Sequence, residues 1–219
     1  MYFFNLYNGQ ILRVGHLDKK RLIDMSNKEE MLRIEKEISG CKRCELWKTR
    51  TNPVVGEGAL SARILFVGEA PGYNEDLNGK PFVGKAGKVL DELLESIGWQ
   101  RADVYIANVL KCRPPGNRNP LTDEIKACTP FLDAQLELIE PAVIATLGNF
   151  SLAYIFAKFQ VKQEKIGKIH GNVFTVSTIT GIKRIIPLYH PAVVTYNPKL
   201  KEVLINDFKV LAKTVRQES

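Results

Sequence analysis

Short apolar runs alternate with amphipathic stretches along most of this sequence. Ile64–Val67, Val104–Leu110, Ala142–Leu147, Val173–Thr178 and Lys183–Leu188 have the length and composition of strands. Helical spacing falls between them. It runs near 84–97, where Val89, Leu90, Leu93, Leu94 and Ile97 share a face, over 122–138 with a restart at Pro130, near 150–158, and over 199–215. Ser26-Asn27-Lys28-Glu29 has the form of a capping box opening an earlier helix that reaches about Ile38, with Gly40 as its stop. This alternation specifies an α/β fold: a three-layer α/β/α sandwich around a central, mostly parallel sheet of four to five strands. Residues 1–25 fit none of the pattern, and a small added hairpin or extension is expected there.

In such sheets ligands bind at the carboxyl ends of the strands. Four strands run directly into conspicuous segments: GEAPGYNED at 68–76, Asn108 with KCRPPGNRNP at 111–120, Leu147-Gly148-Asn149, and His190-Pro191-Ala192. Their convergence predicts a single site. It would offer the amide of Asn108, the imidazole of His190, the carboxylates of Glu69, Glu75 and Asp76, the ring of Phe82, and glycines that admit close backbone approach. No P-loop, G-x-G-x-x-G, nucleophile elbow or zinc-deaminase pattern occurs. An amide, an aromatic plate and a histidine suit a flat heterocycle with several hydrogen-bonding edges, such as a nucleobase. Each residue also has an ordinary reading: Asn108 as a turn cap, Phe82 as core, His190 as structural.

The 219 residues are enough for one sizeable core, and 45% hydrophobic with 25% charged residues is ordinary for a globular protein. No apolar run is long enough for a membrane span, and the N-terminal stretch lacks the form of a secretory signal, so a cytoplasmic location is expected. The net charge of +7 favours a polyanionic partner, though it also suits a merely basic surface. Cys41, Cys44, Cys112 and Cys128 are the four cysteines. Cys41 and Cys44 form a C-x-x-C, while the other two are separated by fifteen residues. Together they could bind a metal centre through four thiolates. The wide second spacing leans toward iron–sulfur, but spacing does not decide between iron–sulfur and zinc. A non-enzymatic nucleic-acid-binding module with a structural zinc therefore stays open at this level.

The motifs C-K-R-C, GEAPG-x-x-ED, GKPFVGKAG, N-V-L-K-C-R-P-P-x-N-R-x-P, the later Cys128 and H-P-A together resemble the iron–sulfur, family 4 uracil-DNA glycosylases of thermophilic bacteria and archaea. The resemblance covers roughly 27–216. It implies an N-terminal extension at 1–26 and a single glycosylase domain at 27–219 with a uracil-DNA glycosylase-like fold. It further implies a monomer that removes uracil from DNA and releases free uracil. Cys41, Cys44, Cys112 and Cys128 would hold a 4Fe–4S cluster. Glu69, Ala70, Pro71, Phe82, Asn108 and His190 would line the uracil pocket. Glu69, Glu75 and His190 would serve catalysis, with Glu75 near the base and the attacking water. One departure matters: Ala70 stands where some relatives in the wider superfamily carry a water-activating acid. Around the pocket, Lys85, Lys88, Lys111, Arg113, Arg118 and Lys199 are candidates for phosphate contact. Val193 and Val194 are candidates to fill the hole left by a flipped base.

Overall fold

The computed structural model describes the backbone of residues 6–7, 10–11 and 19–217, and the side chains of 25–217. A short antiparallel pair, β1 (Leu6–Tyr7) and β2 (Gln10–Ile11), precedes the long helix α1 (Lys19–Gly40). Then follow β3 (Glu57–Gly58), β4 (Ile64–Gly68), α2 (Tyr73–Asn78), α3 (Lys85–Glu95), β5 (Tyr105–Asn108) and α4 (Thr122–Ile139). The remainder is β6 (Val143–Leu147), α5 (Asn149–Lys158), α6 (Ile166–Ile169), β7 (Phe174–Thr178), β8 (Gly181–Leu188), α7 (Val193–Tyr196) and α8 (Leu200–Gln217).

The main sheet has six strands in the order β3-β5-β4-β6-β8-β7. β5, β4, β6 and β8 are parallel, and β3 and β7 pair antiparallel at the edges. All five expected strands are present. The sixth, β3, is two residues long, too short to leave a periodic signal.

The central strands are continuous apolar runs because both sheet faces are covered. Leu65 and Val67 of β4 pack with Met31, Ile34 and Ile38 of α1, Leu132 and Leu136 of α4, and Leu152, Ile155 and Phe156 of α5. The alternate residues Ile64 and Phe66 point the other way, against Leu90, Leu93 and Leu94 of α3 and Leu204, Phe208 and Leu211 of α8. Phe66 and Phe208 stack with ring centroids 5.8 Å apart. These are the three layers that the alternation implied.

Three local expectations change. α1 begins at Lys19, so Ser26 lies inside a helix rather than capping it. No glycine or proline interrupts 19–26, and helix-compatible residues there carry the helix upstream. α4 runs unbroken through Pro130. The segment after β4, to which the sequence pattern assigns neither helix nor strand, is partly helical: Tyr73–Asn78 forms α2, with Glu75 and Asp76 in its first turn, where a helix favours acidic side chains.

Candidate active site

The strand ends are level at one edge of the sheet. Gly68 pairs with Asn108, and Leu147 pairs with Leu188. The ladder continues past the strands: the Val109 and Leu110 N–H groups donate to Gly68 and Glu69 carbonyls, and the Gly148 N–H to Leu188. This edge opens into a pocket lined by Glu69, Ala70, Pro71, Phe82, Asn108 and His190, so the six residues expected to meet a base do converge.

Asn108 is 2% exposed, and its Oδ1 is buried with no hydrogen-bond partner. Gly68 makes room for it: a Cβ at 68 would lie 2.2 Å from that oxygen and 2.7 Å from the Phe82 ring. The Phe82 ring stacks on His190 at 5.6 Å with the planes 29° apart. Phe82 has φ of 53°, a left-handed conformation that costs a bulky residue about 1–3 kcal/mol unless its surroundings fix it.

His190 accepts a hydrogen bond at Nδ1 from the Ala192 N–H at 3.2 Å. Burial drives its pKa down to about 4, against the opposing pull of Glu75. At neutral pH the ring is therefore uncharged.

The acidic stretch divides its labour. Glu75 Oε1 accepts from the Val83 and Gly84 N–H groups at 2.9 and 2.8 Å. Its Oε2 lies over Gly72, 2.7 Å from where a Cβ would stand. Glu69 lines the pocket, and burial raises its pKa. Asp76 faces elsewhere: it is 2% exposed and accepts from the Thr51 N–H with both oxygens, at 2.9 and 3.1 Å. It is an anchor for the segment before β3 and not a site carboxylate.

The rim departs from expectation more than the pocket does. Lys85, Lys88 and Lys199 are exposed, and Lys85 stands at the pocket mouth. Arg113 lies over the Tyr73 ring at 5.1 Å and donates from Nε to Asn117 Oδ1 at 2.7 Å. Arg118 reaches the rim, but its guanidinium donates to both Glu124 oxygens at 2.9 and 2.6 Å, which braces the start of α4. Lys111 is not a DNA contact. It is 1% exposed, and its Nζ donates to the Asn108 carbonyl at 3.0 Å and to Gln135 Oε1 at 2.6 Å. Burial lowers its pKa to about 8. Val193 and Val194 are half-buried against the α3–α8 core and are not free wedges. The aromatic that does stand free at the mouth is Tyr196, 87% exposed. Sequence reasoning missed it. A tyrosine six residues beyond a histidine carries no signal until α7 turns it outward.

A second cavity lies beside this one. Cys41, Cys44, Cys112 and Cys128 all line it, with Arg50, Lys111, Trp47 and Phe131 among its walls. The Lys111 N–H donates to Cys128 Sγ at 3.1 Å, and Arg50 Nη1 to Cys112 Sγ at 3.1 Å. Arg50 also donates to the carbonyls of Ile38 and Ser39, which ties the end of α1 to this cavity. Burial pushes the thiols of Cys44 and Cys112 up, and that of Cys128 to about 12. Among the described residues, no three His, Cys, Asp or Glu side chains converge closely enough to hold one metal ion.

Residues 55–211 match the family model described as the uracil DNA glycosylase superfamily. The chain is 51% identical to the type-4 uracil-DNA glycosylase of Saccharolobus solfataricus, across 80% of this chain and 82% of that protein. It is 49% identical to the type-4 enzyme of Archaeoglobus fulgidus, across 82% of this chain and 90% of that one. With the type-4 enzyme of Thermotoga maritima the identity is 43%, across 89% of this chain and all of that one. The type-5 enzyme of Thermus thermophilus is 30% identical over 63% of this chain. A pocket at level strand ends and four thiols lining a second cavity thus occur in a chain that belongs to the uracil DNA glycosylase superfamily, among its type-4 members.

Proposed function

We propose that this chain excises uracil from DNA by hydrolysing the N-glycosidic bond, which frees uracil and leaves an abasic site for base excision repair. The observation that carries the reading is the unpartnered Oδ1 of buried Asn108 in a pocket walled by Phe82 and His190. Leaving such an atom unsatisfied costs about 1–3 kcal/mol, which a ligand bringing a donor recovers. Uracil brings one at N3–H, beside an acceptor at O4. The Asn108 amide complements both. Cytosine presents the reverse, an acceptor at N3 and a donor at N4, and a fixed amide rejects it.

The base reaches the pocket by leaving the DNA stack. Phe82 covers its face. As the bond breaks, negative charge collects on O2 and positive charge on the sugar. The Ala192 N–H occupies Nδ1 of neutral His190, so the ring proton sits on Nε2, and that N–H donates to O2. Glu69 and Glu75 lie on the side of the cationic sugar. Glu75 Oε1 is already engaged by two backbone N–H groups, so Oε2 is the oxygen that orients the attacking water. Ala70 contributes no acid. Lys85 and Arg113 contact phosphates at the mouth.

Cys41, Cys44, Cys112 and Cys128 would hold a 4Fe–4S cluster. What supports this reading is that all four thiols line one cavity, that four thiolates are the usual ligand set of such a cluster, and that the wide spacing of Cys112 and Cys128 is unlike the paired knuckles of structural zinc sites. The chemistry a bound cluster would supply is a set of iron–thiolate bonds that cross-link the end of α1 to the segment carrying Asn108.

A synthetic oligonucleotide containing one uracil, incubated without magnesium or nucleotide, tests the reading. Free uracil and an abasic site are expected. Binding without release would leave a non-enzymatic module. Iron and sulfide in the purified protein, with broad visible absorbance, are expected in place of zinc.

A further inference from the structure

Phe82 does not hold its ring by local preference, since its φ of 53° is rare for an aromatic L-residue. In extended backbone successive carbonyls point to opposite sides. Here the carbonyls of Pro81 and Phe82 both meet the guanidinium of Arg101: Nη1 donates to Phe82 at 3.0 Å and Nη2 to Pro81. The guanidinium is aimed by Asp91, 2.9 Å from Nη1, and by Glu57, 3.5 Å from Nη2. Gly87 closes the other side, where a Cβ would stand 1.8 Å from the Phe82 carbonyl oxygen. Arg101 itself does not line the base pocket. It lies in a groove behind the Phe82 turn, with Glu57, Lys80 and Asp91.

We propose that Arg101 is a positioning residue for the base plate: its planar guanidinium holds two consecutive carbonyls and so sets the Phe82 ring against His190. This rests on the reading that the pocket takes uracil. Without the guanidinium, Phe82 relaxes to negative φ and its ring leaves the wall. Lysine does not substitute, because an ammonium is a point charge without a planar fork.

The test is single-turnover excision by Arg101→Met, Arg101→Lys, Phe82→Ala and the Arg101→Met/Phe82→Ala pair, at a temperature where each is folded by circular dichroism. Arg101→Met should lower the rate about 10- to 100-fold, as small misplacements of positioning groups do. Arg101→Lys should recover little, and affinity for uracil-containing DNA should stay within a few-fold. In the Phe82→Ala background the same Arg101 change should cost less than about twofold, because the two residues act as one unit. An equal loss in both backgrounds, or no loss, overturns the proposal. If the wild-type protein releases no uracil, the functional reading fails, and a crystal structure of Arg101→Met then decides the positioning claim. Phe82 at negative φ supports it, and Phe82 unmoved overturns it.

Discussion

The Ala192 N–H fixes a proton on His190 by occupying the other ring nitrogen. Protonating the ring would set an Nδ1–H against that N–H and turn the imidazole. His190 should therefore keep its role down to its pKa of about 4, and an acid limb above that belongs to Glu69, whose pKa burial raises; a limb near the ordinary histidine value that persists in Glu69→Gln would contradict this. The linkage has the same sign. Between the ordinary value of 6.5 and about 4, the unfolded chain takes up a proton that the folded one refuses, so stability falls as pH drops through that window. His190→Ala should lose about 100- to 1,000-fold in single-turnover rate. Its affinity for uracil-containing DNA should change far less, because ground-state uracil carries little charge at O2. Asn108→Asp should lower uracil excision and, with a protonated carboxyl, admit some cytosine; unchanged uracil release in both Asn108→Asp and Asn108→Ala would remove Asn108 from base reading. Asn108, Phe82 and His190 were legible because each belongs to a strand end or a dense motif. The burial of Lys111 was not, since it depends on Gln135, 24 residues away, and the flanking KCRPP looks like a basic rim.

At the scale of elements, the α/β alternation was legible because fully buried strands and one-faced helices leave opposite periodicities. The pieces that escaped were β3, α2, α6 and α7, all of six residues or fewer, where less than two turns or a single strand pair gives no period to read. The false start of α1 has a different cause. A capping sequence supplies a local hydrogen bond, but packing of Met31, Ile34 and Ile38 against α4 holds the helix whatever its first turn does. The thiol cavity lies where the end of α1 meets that packing. Cys112→Ala should abolish the visible colour, lower the melting temperature by several degrees and loosen α1 first, as hydrogen exchange across 25–40 would register. A variant with full colour and unchanged exchange would show that Cys112 is not a ligand.

Across the whole molecule, a net charge of +7 makes association with DNA salt-dependent. Few of the basic side chains first suspected remain free at the mouth, since Arg118 braces Glu124 and Lys111 is buried. Lys85→Ala, at the mouth, should therefore weaken binding evenly across sequences and reduce the slope of log K against log salt by about 1. Tyr196→Ala should weaken binding through lost base stacking, by about 1–3 kcal/mol on single-stranded and duplex uracil-DNA alike. Loss confined to duplex would mean that Tyr196 fills the vacated stack. Anisotropy titrations at several salt concentrations separate the two effects.

Asn108 and Cys112 sit four residues apart on one short segment, the first facing the base pocket and the second the thiol cavity. Lys111, between them, hydrogen-bonds back to Asn108 and across to Cys128. Every position in that interval is thus committed at both ends. An exposed connection such as 160–165 can absorb an insertion or deletion, whereas this interval has nowhere to take one up. The interval works as a ruler. A lineage that changed its length would have to give up one cavity or the other, so in diverging descendants the two should persist together or decay together.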